Sequence, residues 1–224
     1  MPQLTISLDL HGKPAVVVGG GRVAARKCLT LIRCGADVTV ISPLPATGVQ
    51  RLVRLALINH LPRNYSEGDL KGAVIVFAAT DQPEINRRVA SEAAMHGVPV
   101  NVADSREFSS FSSPATLRRG ELSIAVTTGG SAPALSRRIR KQLAVIYGRE
   151  YADTVALLGK IREKLLTQND NRRYNKRILS DLANSPIPEL LKNGMPREVE
   201  HLILELCGPG FTLDELGMRK ETTK

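Results

Sequence analysis

The residues best placed to do chemistry in this chain begin at Gly19-Gly20-Gly21-Arg22-Val23-Ala24. The run fits G-x-G-x-x-G/A, the spacing that brings a dinucleotide pyrophosphate against backbone amides. Gly19 permits the tight turn, Gly21 leaves room for the phosphates, and Ala24 lets the following helix pack close to the strand. A helix opening at Arg22 adds oriented N–H groups and the positive end of its dipole. A second glycine-rich run, Thr127-Thr128-Gly129-Gly130-Ser131, also opens a helical segment and suits an anion for the same reason. Asp104 is the outstanding titratable candidate. It follows the apolar run Val98–Val102, where a carboxylate serves either as a general base or, more blandly, as a cap for the next segment.

Other chemistries lack their residues. There is no nucleophile elbow, no Walker lysine motif, no H-E-x-x-H and no tyrosine four residues before a lysine. His11, His60, His96 and His201 are scattered, and Cys28, Cys34 and Cys207 lack C-x-x-C spacing, so neither a metal site nor a disulfide framework is expected. About twenty positions after the glycines, NAD-binding folds carry an acid that holds the ribose 2′-hydroxyl. Ile41, Ser42 and Pro43 stand there instead, and Asp37 is at the wrong end of its strand, which leaves both NAD and NADP open.

The elements that must position these residues follow from periodicity. Ala15–Val18 reads as a buried strand, Arg22 to about Arg33 as a helix closed by Gly35, and Asp37–Ile41 as the second strand. Helical spacing over Val49–Leu57, a short strand Leu57–Leu61, a strand Val74–Ala78, a helix Pro83–Met95 closed by Gly97, and a strand Val98–Val102 complete the alternation. This predicts an α/β fold with a Rossmann-type doubly wound parallel sheet. Its ligand edge would collect Gly19–Val23, Ser42, Pro43, Leu44, Thr80 and Asp104. Alternation over Leu4–Leu10 predicts an additional edge strand.

Near Phe108–Pro114 the pattern changes to a hairpin, Thr116–Leu117 with Leu122–Val126. A helix Ala132–Tyr147 follows, with an apolar stripe of Leu135, Ile139, Leu143 and Ile146. Arg137, Arg140 and Lys141 lie opposite that stripe, and Arg138 at its flank. From Glu150 onward the chain reads as helical. Three segments are expected: 1–112 with the parallel sheet, a small α+β segment 113–148, and a helical segment 149–224.

Composition narrows the partners. With 31 Lys and Arg against 22 Asp and Glu, the formal charge is +9, which calls for an anionic partner. Aromatic residues make up 4% and tryptophan is absent, which argues against a base-stacking surface and favours a polyanionic small molecule over nucleic acid. No apolar run has the length of a membrane span, and MPQLTISLDL lacks the features of a signal peptide; a cytoplasmic protein without a membrane partner is expected. From residues alone, two further readings stay open: a non-catalytic NAD-sensing module that binds nucleic acid through its basic helices, and an NADP-dependent reductase of another small anion.

Several of these motifs together resemble one known family. They are Gly19–Ala24 followed by Arg26-Lys27; Ala78-Ala79-Thr80-Asp81 with Asn86 beyond; Asn101-Val102-Ala103-Asp104 leading to Phe111 and Pro114; and Ala125-Val126-Thr127-Thr128-Gly129-Gly130-Ser131-Ala132-Pro133. These are similar to the precorrin-2 dehydrogenase/sirohydrochlorin ferrochelatase family, the N-terminal module of siroheme synthase. The resemblance is strong from about Leu4 to Tyr147 and mainly architectural beyond; the chain stops at Lys224 without the methyltransferase half, so a stand-alone form is expected. It implies NAD-dependent oxidation of precorrin-2, a tetrapyrrole with eight carboxylates, to sirohydrochlorin. In some members Fe2+ insertion follows as a second activity. By the same resemblance Asp104 matches the family's essential aspartate, and Gly19, Gly21, Arg22, Val23, Pro43, Leu44 and Thr80 would surround NAD. No resident metal is implied. A homodimer is, interlocked through about Ser113–Gly148.

Overall fold

A computed structural model of the chain describes residues 4–103, 105–168 and 172–218. It divides into two compact units, Met1–Ser113 and Pro114–Lys224.

In the first unit, the apolar runs form the strands β1 (Pro14–Val18), β2 (Asp37–Ile41), β3 (Asn59–Leu61), β4 (Ile75–Ala78) and β5 (Val100–Val102). They pair in parallel in the order β3-β2-β1-β4-β5, the arrangement of a Rossmann-type sheet. Alternation along β1 sends successive side chains to opposite faces. Val17 therefore joins Ala24, Cys28 and Leu31 of α1 (Arg22–Arg33) and Val49 and Leu52 of α2 (Thr47–Arg54). On the other face Val16 and Val18 join Val89, Ala90 and Ala93 of α3 (Pro83–Met95). With both faces covered, β1 and β4 read as unbroken apolar runs.

Helices α1 and α3 end in the same motif. At α1, Gly35 N–H bonds Ile32 O and Ala36 N–H bonds Leu31 O; at α3, Gly97 and Val98 repeat this on Ala94 and Ala93. Helix α2 ends likewise, with Ala56 and Leu57 bonding Val53 and Leu52, but here Ala56 occupies the left-handed position at φ 52°. No glycine marks that stop, and the helical spacing of apolar residues continues in the sequence to Leu57. The helix instead ends at Arg54, and the strand after it shortens to Asn59–Leu61. The other strands of the sheet shift only at their starts, to Pro14, Ile75 and Val100, and β2 keeps its expected bounds.

Leu4–Leu10 is a correction. Residues 4–10 form no strand, and Leu4, Ile6 and Leu8 are exposed; only Leu10 enters the core. The free side of β5 is closed locally instead. Val100 N–H donates to Ser110 Oγ at 2.8 Å and Val102 N–H to Ser109 Oγ at 2.9 Å, so serine hydroxyls satisfy amides that an edge strand would leave open.

The second unit opens with an antiparallel hairpin, β6 (Ala115–Arg119) and β7 (Leu122–Val126), longer than its apolar pattern suggested. Helix α4 (Pro133–Ile146) packs on it, and Arg119 holds the end of α4 by donating to the carbonyls of Tyr147 and Gly148, each at 3.0 Å. Helices α5 (Glu150–Gln168), α6 (Arg172–Ala183), α7 (Ile187–Lys192) and α8 (Pro196–Cys207) enclose a core that includes Leu157, Ile161, Leu182, Ile187, Val199 and Ile203. Thr212 and Glu215 make reciprocal capping bonds around a short turn. Among the described residues no helix is long and apolar enough to cross a membrane.

Candidate cofactor and active site

The glycine turn is built by the strands on either side of it. Gly19 N–H bonds Ile41 O at 2.9 Å, and Ala79 N–H bonds Val18 O at 2.7 Å, which draws the turn between the ends of β2 and β4. Gly19 has φ 118°, and a Cβ there would lie 2.3 Å from the Ala79 carbonyl oxygen. A Cβ on Gly20 would meet Ser42 Oγ at 2.4 Å, and Ala46 N–H bonds Gly20 O at 2.8 Å. Gly21 differs. A Cβ there would meet nothing within 4 Å, so its outer side is open.

Gly21 is also the N-cap of α1, which has no side-chain cap and no acidic residue in its first turn. Its opening amides, through Ala24, have no intrahelical acceptor. Ala24 itself is buried against the sheet, as the third fingerprint position requires. Open space above Gly21, free amides and a positive helix end together fit a dinucleotide pyrophosphate.

The structure brings most of the expected edge residues together. Gly19, Gly21, Arg22 and Val23 lie at the end of β1; Pro43 and Leu44 follow β2 and are exposed; Thr80 follows β4. Thr80 is fixed by Asn86, which is buried: its Oγ1 donates to Asn86 Oδ1 at 2.8 Å, and Asn86 Nδ2 donates to Thr80 O at 3.1 Å. Ser42 is buried and no carboxylate stands at the end of β2, as the sequence indicated. Asp104 lies outside the described residues. The residue before it, Ala103, is tied to the edge by a 2.8 Å bond from its N–H to Ala78 O.

In the second unit, Gly129 and Gly130 take positive φ. Thr128 Oγ1 accepts the Ala132 N–H at 3.0 Å and lies 3.3 Å from Ser136 Oγ. The apolar stripe of α4 is not a core stripe in the single chain: Leu135 and Ile146 are 47% and 63% exposed, and Ser136 is the helix's buried residue.

Two groups escaped sequence reasoning. Lys27, on α1, donates to Asn101 Oδ1 and Ser113 Oγ, each at 3.0 Å, and stands 4.6 Å from the ring centre of Phe77. Burial, and after it the Arg26 guanidinium, pulls its pKa down to about 8. Glu92, on α3, is buried and accepts from Tyr65 Oη and from the N–H groups of Gly68 and Leu70. A carboxylate between Val89 and Ala93 on the buried side of a helix was its visible signal. Lys27 stands in one of the motifs quoted for the family resemblance, but no local pattern marked its surroundings, because its partners come from β4, β5 and the stretch before Pro114. The thiols of Cys28 and Cys207 are pushed up to about 12 and about 11 by burial and are unreactive. Among the described residues no cluster suits a metal ion.

Comparison with known proteins agrees with this layout. A family model described as "Putative NAD(P)-binding" matches residues 6–115, and one described as "Sirohaem biosynthesis protein central" matches residues 119–145. Siroheme synthase of Azotobacter vinelandii is 36% identical over 203 residues, which are 91% of this chain and 44% of that protein. Siroheme synthase of Methylobacillus flagellatus is 33% identical over 211 residues, 94% of this chain and 45% of that protein. The chain thus spans less than half the length of these relatives. Among solved structures, "SirC, precorrin-2 dehydrogenase" superposes with a TM-score of 0.71 at 24% identity, covering 89% of this chain and all of that one, and so shares its fold. With the two family models in sequence order, the chain is similar to siroheme synthases over nearly its whole length.

Proposed function

We propose that the protein is an NAD-dependent precorrin-2 dehydrogenase, forming sirohydrochlorin in siroheme biosynthesis. The observation that carries this reading is the open glycine turn above Gly21, at the carboxyl edge of a parallel sheet, in a chain similar to siroheme synthases. The basic balance of +9 suits a polycarboxylate substrate.

Bound NAD+ supplies the hydride acceptor. The amides opening α1 and the space at Gly21 hold its pyrophosphate, Arg22 and Val23 flank it, and Pro43, Leu44 and Thr80 line the remaining edge. The oxidation removes a hydride from a ring carbon and a proton from the macrocycle. Asp104, next after the anchored Ala103, is the proposed acceptor of that proton. Mixing the protein with precorrin-2 and NAD+ should generate NADH; intact NAD+ binding without turnover would sink the proposal. Asp104→Asn should bind NAD+ normally yet lose activity by about a hundredfold or more, the range for a lost general base. Near wild-type rates would remove Asp104 from the chemistry.

Two extensions rest on the family. Fe2+ as a substrate, inserted into sirohydrochlorin, would be seen as insertion faster than the spontaneous rate. A homodimer is supported by the exposed apolar residues Leu135, Val145 and Ile146 of α4.

A further inference from the structure

We propose that the Lys27 ammonium, with the Ser113 hydroxyl beside it, binds a carboxylate group of the anionic substrate. This deepens the reading above and rests on the substrate being a polycarboxylate. The ammonium is half-buried, and among the described residues its partners are neutral: the Asn101 amide oxygen, the Ser113 hydroxyl and the face of Phe77. Among the described residues the ion pairs are Arg63–Asp69, Arg87–Glu84 and Arg177–Asp181, and none reaches Lys27. Burying a cation without an anion is unfavourable, and neutral acceptors compensate it less well than a carboxylate. The fold therefore holds a positive charge where an arriving anion would stabilise it most.

The surroundings leave one side for that anion. Asn101 is fixed from behind, its Nδ2 donating to Phe111 O at 3.1 Å, and Phe111 packs edge-on to Phe77 at 5.4 Å. Ser113, in contrast, is exposed. A carboxylate entering there would take the N–H now given to Ser113 Oγ, and the freed hydroxyl would donate to the same carboxylate. Among the described residues Arg26, on the same helix, is the charged group acting on Lys27; β4 contributes Phe77, β5 Asn101, and the stretch before Pro114 contributes Phe111 and Ser113, none of them titratable.

Linkage gives the test. An anion that prefers the ammonium form must raise the Lys27 pKa, and its affinity must fall as pH rises through about 8. The Lys27 side-chain 13Cε resonance, assigned by its loss in Lys27→Arg, would be titrated by NMR with and without uroporphyrin, an unreactive octacarboxylate tetrapyrrole. The expected result is a midpoint near 8 in the free protein and a rise of about one unit with uroporphyrin, a tenfold preference. An unmoved midpoint, no uroporphyrin binding, or a free-protein midpoint above about 10, which would mean a counter-ion already in place, overturns the site. In turnover assays Lys27→Gln should raise KM for precorrin-2 about tenfold, with kcat and KM for NAD+ unchanged, and Lys27→Arg should restore it. Absence of turnover in the wild-type protein would defeat the dehydrogenase reading while the NMR arm still decides the carboxylate site.

Discussion

A methyl group added at Gly19 and at Gly21 meets opposite surroundings, although the two residues belong to one motif. At Gly19 it would strike the Ala79 carbonyl, and the φ of 118° would be strained for any L side chain. Gly19→Ala should therefore destabilise the protein by about 1–3 kcal/mol or more, measured as a lowered urea midpoint. At Gly21 the methyl meets only the space proposed for the phosphates. Gly21→Ala should change stability by no more than about 1 kcal/mol, as an N-cap substitution. It should raise Kd for NAD+ about tenfold or more by calorimetry, and unaltered affinity would mean that the pyrophosphate lies elsewhere. Lys27 gives a residue-scale pH dependence. Its pKa in the fold is lowered to about 8 from 10.5, so between those values the unfolded chain binds more protons and stability should rise with pH. Below about 8 the cost of the buried charge is present in full. Denaturation midpoints of the wild type relative to Lys27→Met should increase across that window; a flat difference would show that the lysine is not desolvated.

At the scale of elements, the sheet depends on side chains that tie loops to helices. Glu92 reaches from α3 to the stretch 65–70 and accepts from Tyr65, Gly68 and Leu70, a buried carboxylate with three donors. Burial, with Glu92 beside it, pushes the Tyr65 hydroxyl well above its usual range, so it remains a donor. Tyr65→Phe should cost about 1–3 kcal/mol by leaving part of that charge unsatisfied, and a loss below about 0.5 kcal/mol would show that backbone donors suffice. The helix ends illustrate what pattern reveals. Gly35 and Gly97 announced their stops, whereas Ala56 adopts the same left-handed geometry without a glycine, and only the fold exposes it. Leu4–Leu10 shows the converse: its alternation is that of a strand, but a strand needs a neighbour to pair with, and residues 4–8 pair with no strand among the described residues.

For the whole molecule, the exposed stripe on α4 is the feature that a single chain does not explain. Leu135→Asp together with Ile146→Asp should convert a dimer to a monomer in sedimentation experiments, with little change in the unfolding of either unit; a monomeric wild type would dispose of the proposed interface. The alternation of strands and helices, the glycine turn and the missing ribose acid were legible along the sequence, because each depends on local periodicity or on residues within one βα unit. The helical stretch from Glu150 onward was legible for the same reason. Tertiary structure alone decided that Gly21 is open while Gly19 and Gly20 are enclosed, since the enclosing atoms belong to Ala79, Ser42 and Pro45. It alone brought Lys27 to Asn101 and Ser113, across separations of 74 and 86 residues. Periodicity reports which face of an element is buried, but the particular atoms that meet that face are chosen by strand order and helix packing, which no local pattern encodes.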